Sequence, residues 1–305
     1  MTWLHGVLLG VVVGAHVSTW GAYKDAPFEG FHLSRFVRSI VLAMVIGALL
    51  SGGFGFDRTE SMIVLLGVIY GIERLLTEYW KLFFRDHVAE SFTIPMRFGV
   101  FGRPVDQPGM RYAIGLVIIG LTVLTCVAVS FIQLALPVQP QWFLILFAGI
   151  SGWLTAVGGA WKDAPIEGFS GWKFLRSPAV ATAWAIPLSF LTENWVLMSL
   201  SAGGFAVASI ETYKAFLVRN RPPGKFDGKP VRHRFTYLRD SLAGAHALLW
   251  GGLAVSLGYG LISPAAPPTF DAAALAQATV AVLAAIGSGL VFSRAIVMRP
   301  IGLSY

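Results

Sequence analysis

Two stretches of this chain carry the same mixture of acids, bases and a proline: residues 21–39 read GAYKDAPFEGFHLSRFVRS, and residues 159–177 read GAWKDAPIEGFSGWKFLRS. Twelve of the 19 positions are identical at a constant offset of 138, which marks a duplication. Each copy supplies two carboxylates, Asp25 and Glu29 or Asp163 and Glu167, with Lys24, Arg35 and Arg38 or Lys162, Lys173 and Arg176 around them. Guanidinium forks bind phosphate oxygens in pairs, and carboxylates hold Mg²⁺. The pattern points to a site for an anionic headgroup or phosphate, with the four carboxylates as candidate catalytic groups. Asp25 and Asp163 would be the metal ligands for Mg²⁺. The plainer reading is that these charges pair with one another and anchor the loop at headgroup level, where Lys and Arg near span ends settle. A gating role is the third reading.

The likeness continues downstream in weaker form. Glu78 and Lys81 resemble Glu211 and Lys214, and Gly102-Arg-Pro-Val resembles Gly228-Lys-Pro-Val, which adds Arg103 and Lys229 to the candidate binding residues. Glu78/Lys81 and Glu211/Lys214 are i,i+3 pairs on one helix face, so mutual neutralisation is the structural expectation for them. Glu73 and Arg74 stand deeper in an apolar stretch. Ionisable residues there face a bundle interior or a watery cavity and count as functional candidates.

Charges held this way need helices to position them, and the composition says what kind. The 305 residues are 55% apolar and 13% charged, with a mean hydropathy of +0.68. Soluble domains carry roughly 25% charged residues. About 20 apolar residues cross a bilayer as a helix, and nine segments qualify: 3–22, 39–56, 61–83, 112–136, 141–161, 178–193, 195–217, 241–263 and 272–296. Pro27 and Pro165 disfavour helix just before them, so the first and fifth spans should end near their Lys-Asp pairs. Lys and Arg gather after helices one, three, five, seven and nine, and only Arg58 falls in a loop on the other side. The positive-inside rule then places the N-terminus outside and the C-terminus in the cytoplasm.

The expected architecture is an all-α polytopic membrane protein with about nine transmembrane helices, in two tandem parallel four-helix repeats plus a C-terminal helix. The first repeat covers residues 1–137 and the second 138–264, while 265–305 hold the ninth helix and tail. Four spans per unit keep both copies in one orientation, with a pseudo-two-fold axis along the membrane normal. Basic residues that flank spans leave no nucleic-acid face. The lone Cys126 excludes a disulfide framework. Gly6, Gly10 and Gly14 form a stripe that admits a close helix neighbour. His5 and His16 share a face of the first helix, and a bis-histidine haem with a partner such as His246 is conceivable.

No G-x-S-x-G, Walker-type loop or H-E-x-x-H occurs. Over some seven residues K-D-A-P-x-E-G resembles the second acidic motif of UbiA-type prenyltransferases, and the resemblance implies a prenyl diphosphate held through Mg²⁺. This sequence departs from that family in lacking the spaced Asp series, in placing its loops after helices one and five, and in the side assigned to its N-terminus. The short, nearly uncharged outward loops and the long, charged inward ones favour a site open to the cytoplasm. The first expectation is therefore an enzyme, in concrete form a transferase, handling a lipid or lipid-linked phosphate at the inner leaflet. The alternatives are a symmetric transporter whose duplicated loops form the cytoplasmic gate, and a non-catalytic subunit of a larger membrane complex. Membrane lipids are the expected partners, with an oligomer or other subunits as further candidates.

Overall fold

The computed structural model describes residues 3–53, 61–85, 98–100, 103–218, 226, 228–231 and 236–262. The chain is all-α within them: α1 Trp3–Glu29, α2 Leu33–Ala48, α3 Met62–Tyr79, α4 Pro108–Ala135, α5 Gln141–Glu167, α6 Gly171–Leu188, α7 Trp195–Thr212 and α8 Thr236–Ile262. A two-stranded antiparallel ladder, β1 Gly99–Val100 with β2 Arg103–Pro104, precedes α4. Six helices are long and apolar enough to cross a membrane: α1, α2, α4, α5, α7 and α8. Glu73, Arg74 and Glu78 in α3, and Lys173, Arg176 and two prolines in α6, leave those two helices outside that set. The segment expected to form a ninth span lies outside the described residues.

α1 and α5 do not end before their prolines. Each runs through the K-D-A-P motif to its glutamate and stops at the next residue, Gly30 or Gly168. Those glycines have φ of 82° and 77°, the left-handed conformation that closes a helix at little cost without a Cβ. Their N–H groups donate to the carbonyls of Ala26 and Ala164 at 2.9 Å. A proline in the last turn only weakens the preceding residues' helical preference, and the glycine decides the end. Lys24 and Lys162 are consequently helical.

Glycine sets how the helices meet. A Cβ on Gly14 would stand 2.3 Å from Ile40 Cα, and one on Gly6 1.9 Å from the Gly47 carbonyl oxygen, so the stripe on α1 lies against the α2 backbone. In α5, a Cβ on Gly152 would stand 2.5 Å from Pro178 Cα and 2.6 Å from the Ser177 carbonyl oxygen. Gly152, Ser177 and Pro178 lie 138 positions after Gly14, Ser39 and Ile40, so α5 meets α6 through the same positions by which α1 meets α2. At the centre α3 crosses α7: Gly71 is tight against Leu200, and Gly204 against Gly67. The buried core of Val13, Trp20, Val64, Tyr70, Met198 and Phe205 surrounds this crossing. α4 is the opposite case, with 6% of its apolar window buried and Leu116, Leu121, Leu124 and Phe131 all more than half exposed, as lipid-facing side chains are.

Candidate functional site

The C-terminal ends of α1, α3, α5 and α7 meet at one end of the bundle, where the charged residues of the duplicated motifs converge. Lys24 of α1 donates to Glu211 of α7. Lys162 of α5 donates to Glu78 of α3 at 2.8 Å. Each glutamate holds a second lysine on its other oxygen: Lys214 on Glu211 at 3.0 Å, and Lys81 on Glu78 at 2.7 Å. The lysine of each K-D-A-P motif thus reaches the glutamate that belongs with the other copy. α3 and α7 each end in a π-helical turn, Trp80–Phe84 and Tyr213–Leu217, which carries the second lysine. Such turns insert a residue into the helical ladder and recur at functional sites.

Between the two clamps sits Glu73, fully buried on α3. Arg74 binds it through Nε at 2.6 Å and Nη2 at 2.9 Å, and Thr77 Oγ1 donates to it at 3.1 Å. The Arg74 guanidinium lies 6.0 Å from the Trp20 ring. It is within electrostatic range of both Glu78 and Glu211, and Lys162 is within range of Glu211, so the clamps form one cluster. Its five cations (Lys24, Lys81, Lys162, Lys214 and Arg74) face three glutamates, with Asp25 acting on Lys24 and Asp163 at 3.8 Å from Lys162 supplying two further negative charges. Each of these five cations is engaged with a carboxylate inside the cluster, and Arg38, in range of Glu73, Glu78 and Arg74, adds a further positive charge to it.

The other expected site residues are more dispersed. Arg35 donates to Glu29 at 3.3 Å, a bond inside its own turn. Arg38 on α2 is within electrostatic range of Arg74 and Glu73. Lys173 and Arg176 lie on the first turns of α6, and Glu167 at the end of α5. Arg103 on β2 and Lys229 are exposed. Arg85, just past the end of α3, is pulled down to about 10 by burial, with Arg38 and Arg35 acting in the same direction against Glu29 and Glu78. Among the described residues no group of three or more His, Cys, Asp or Glu side chains converges to hold a metal ion.

A second polar group, His16 with His246, which the sequence offers only as a haem pair, lies further into the bundle. His16 and His246 stack with ring centroids 4.1 Å apart and planes at 30°, leaving no space for a haem iron between them. His16 Nδ1 bonds the Tyr70 hydroxyl, and Thr19, Thr212, Trp20 and Trp250 complete the surroundings.

No known family, curated protein or solved structure matches this chain.

Proposed function

We propose that this chain is a multi-pass membrane transporter built from two pseudo-two-fold related halves, latched at the cytoplasmic face by the crossed lysine–glutamate clamps. The observation that carries the reading is that Lys24 pairs with Glu211 while Lys162 pairs with Glu78. Residues duplicated for local anchoring would bond within their own copy; these bond across the halves. A contact of this form holds two bodies together at one end, and it opens by exchanging ion pairs for water. The equivalent contacts of Gly14 and Gly152, 138 apart, and of α3 with α7 support the two-fold relation. The basic residues gathered at this end support its cytoplasmic placement by the positive-inside rule.

The opposite end is held by neutral contacts. Gln133 of α4 donates to the Glu193 carbonyl at 2.8 Å and accepts from the Trp195 N–H at 3.0 Å. Two ends closed by different chemistry suit a protein that opens one at a time. The phosphate-transferase reading, with its Mg²⁺ on Asp25 and Asp163, is the weaker one, because three of the cations it needs, Lys24, Lys162 and Arg35, already serve glutamates.

The test needs no knowledge of the cargo. In a Cys126→Ser background, Ser201→Cys places a near-isosteric thiol at a fully buried position of α7, against Gly67 of α3. With the clamps intact, a membrane-impermeant thiol reagent applied to inside-out vesicles should label it slowly. Lys24→Gln with Lys162→Gln should raise the labelling rate at least ~10-fold, the effect of about 1.4 kcal/mol on the opening equilibrium. Unchanged labelling in a variant that still elutes as a folded species refutes the gate.

A further inference from the structure

We infer that the inner gate is one-sided: the end of α5 swings away from the first half, while the end of α1 stays bound to the second half and serves as the hinge. This rests on the transport reading and adds to it which side moves. In a chain made of two copies, each cross-half joint occurs twice, and at this end the joint is firmer at α1 than at α5.

The loops after α3 and α7 each carry a Pro-x-[Arg/Lys]-Phe run, ending at Phe98 and Phe226, and both phenylalanines reach across the halves. Phe98 stacks on Trp161 of α5 with ring centroids 5.8 Å apart, and the Trp161 indole N–H donates to the Gly99 carbonyl at 2.6 Å. Phe226 stacks on Phe28 of α1, with centroids 4.2 Å and planes 9° apart. Trp161 precedes Lys162, and Phe28 lies one turn beyond Lys24, so each clamp has an aromatic strap beside it. The two straps differ in burial. Phe226 is fully buried and Phe28 is buried, whereas Trp161 is 55% exposed. Buried aromatic rings cover about 150–250 Å² each, and uncovering that area opposes separation. Trp161 has less to uncover, and water can replace its hydrogen bond. The clamps rank the same way. Glu78 is about twice as exposed as Glu211, so its lysine is held in wetter surroundings, where an ion pair is weaker.

The bias continues further along the two helices. His16, Thr19 and Trp20 of α1 are buried, with His246 of α8, from the second half, against all three. Their equivalents on α5, Leu154, Val157 and Gly158, are exposed. Arg239, the fourth residue of α8, sets its guanidinium 4.6 Å from the Tyr23 ring of α1, a cation–π contact across the halves. Arg111, the fourth residue of α4, instead donates to the Phe83 carbonyl at 2.9 Å, inside its own half. Among the described residues, the hydrogen bonds and ring contacts that α5 makes to the first half come from Trp161 and Lys162, at its inner end. α1 is fastened to the second half along its length, and α5 is fastened to the first half at its tip. Force that parts the halves therefore frees α5 first.

Spin-label pairs read the two joints separately. In the Cys126→Ser background, Gly159→Cys on α5 with Gly109→Cys on α4 spans the moving side, and Gly21→Cys on α1 with Gly244→Cys on α8 spans the hinge. A Cβ at any of these four glycines meets nothing within 4 Å. Introducing Lys162→Gln should shift the α5–α4 pair to longer distances and leave the α1–α8 pair where it was. On separate preparations, Lys162→Gln alone should speed labelling of Ser201→Cys at least ~5-fold, and Lys24→Gln alone less than ~2-fold. Equal lengthening of both pairs, or equal labelling in the two lysine variants, overturns the hinge and leaves the gate standing. Fixed distances in both pairs, with Ser201→Cys still protected in folded protein, remove the gate and the hinge with it.

Discussion

Replacing Glu211 by Gln removes the charge that two lysines share. Glu211 is 15% exposed and Lys24 14% exposed, so the ion pair works in a medium well below water in polarity. At an effective dielectric constant of about 20 a pair near 3 Å is worth roughly 5 kcal/mol gross, and most of that offsets desolvation. What registers on mutation is the cost of leaving the lysines half-buried and unpaired, about 3–5 kcal/mol for a buried pair. The remaining exposure and the hydrogen bond that Gln can still accept reduce this to roughly 2–3 kcal/mol. Glu78 is 31% exposed, so Glu78→Gln should cost less, about 1–2 kcal/mol. A double-mutant cycle with Lys24→Met and Glu211→Gln should give a coupling of about 1–2 kcal/mol. Thermal unfolding in one detergent reads these as drops of several degrees, at roughly 2–4 °C per kcal/mol. Additive Lys24 and Glu211 effects, or a Glu78→Gln protein less stable than Glu211→Gln, would show that the clamps do not hold the halves together.

Two further outcomes follow from packing and burial. Glu73→Gln should cost about 3–5 kcal/mol, because it strands the Arg74 guanidinium against a fully buried position; Glu73→Gln with Arg74→Met should recover part of that loss in the same unfolding assay. Gly14→Ala and Gly152→Ala should each destabilise and loosen their helix pair, since the new Cβ would lie 2.3 Å from Ile40 Cα or 2.5 Å from Pro178 Cα, whereas Gly21→Ala, with nothing within 4 Å, should raise the melting temperature slightly, by roughly 0.5–1 kcal/mol of helix propensity.

Much of the helix placement was legible because a bilayer demands long apolar runs, and the eight described helices overlap the first eight expected segments. The ends of α1 and α5 were misjudged because proline was given the stopping role that Gly30 and Gly168 perform. In the cluster, Glu78 with Lys81 and Glu211 with Lys214 could be paired from their spacing, since i,i+3 geometry is local. The partners of Lys24 and Lys162 could not, because a bond spanning 187 or 84 residues depends on which helices pack together. The α3–α7 crossing at Gly71 and Gly204 settles that packing, and no local pattern announces it. The His16–His246 contact had the same handicap: both residues were noticed, but side-by-side stacking comes only from α1 lying against α8.

The exchange of partners between clamps also sets an order of events during synthesis. A ribosome adds about 5–20 residues per second, so the 187 residues from Lys24 to Glu211 take roughly 10–40 s, during which that lysine has no mate. Glu78 waits a shorter time for Lys162. The nascent first half therefore waits in the bilayer with Lys24 short of its glutamate and Glu78 holding Lys81 alone, and both clamps close only when its twin arrives. Split into two separately expressed pieces, the protein should accumulate only where both are made in the same cell.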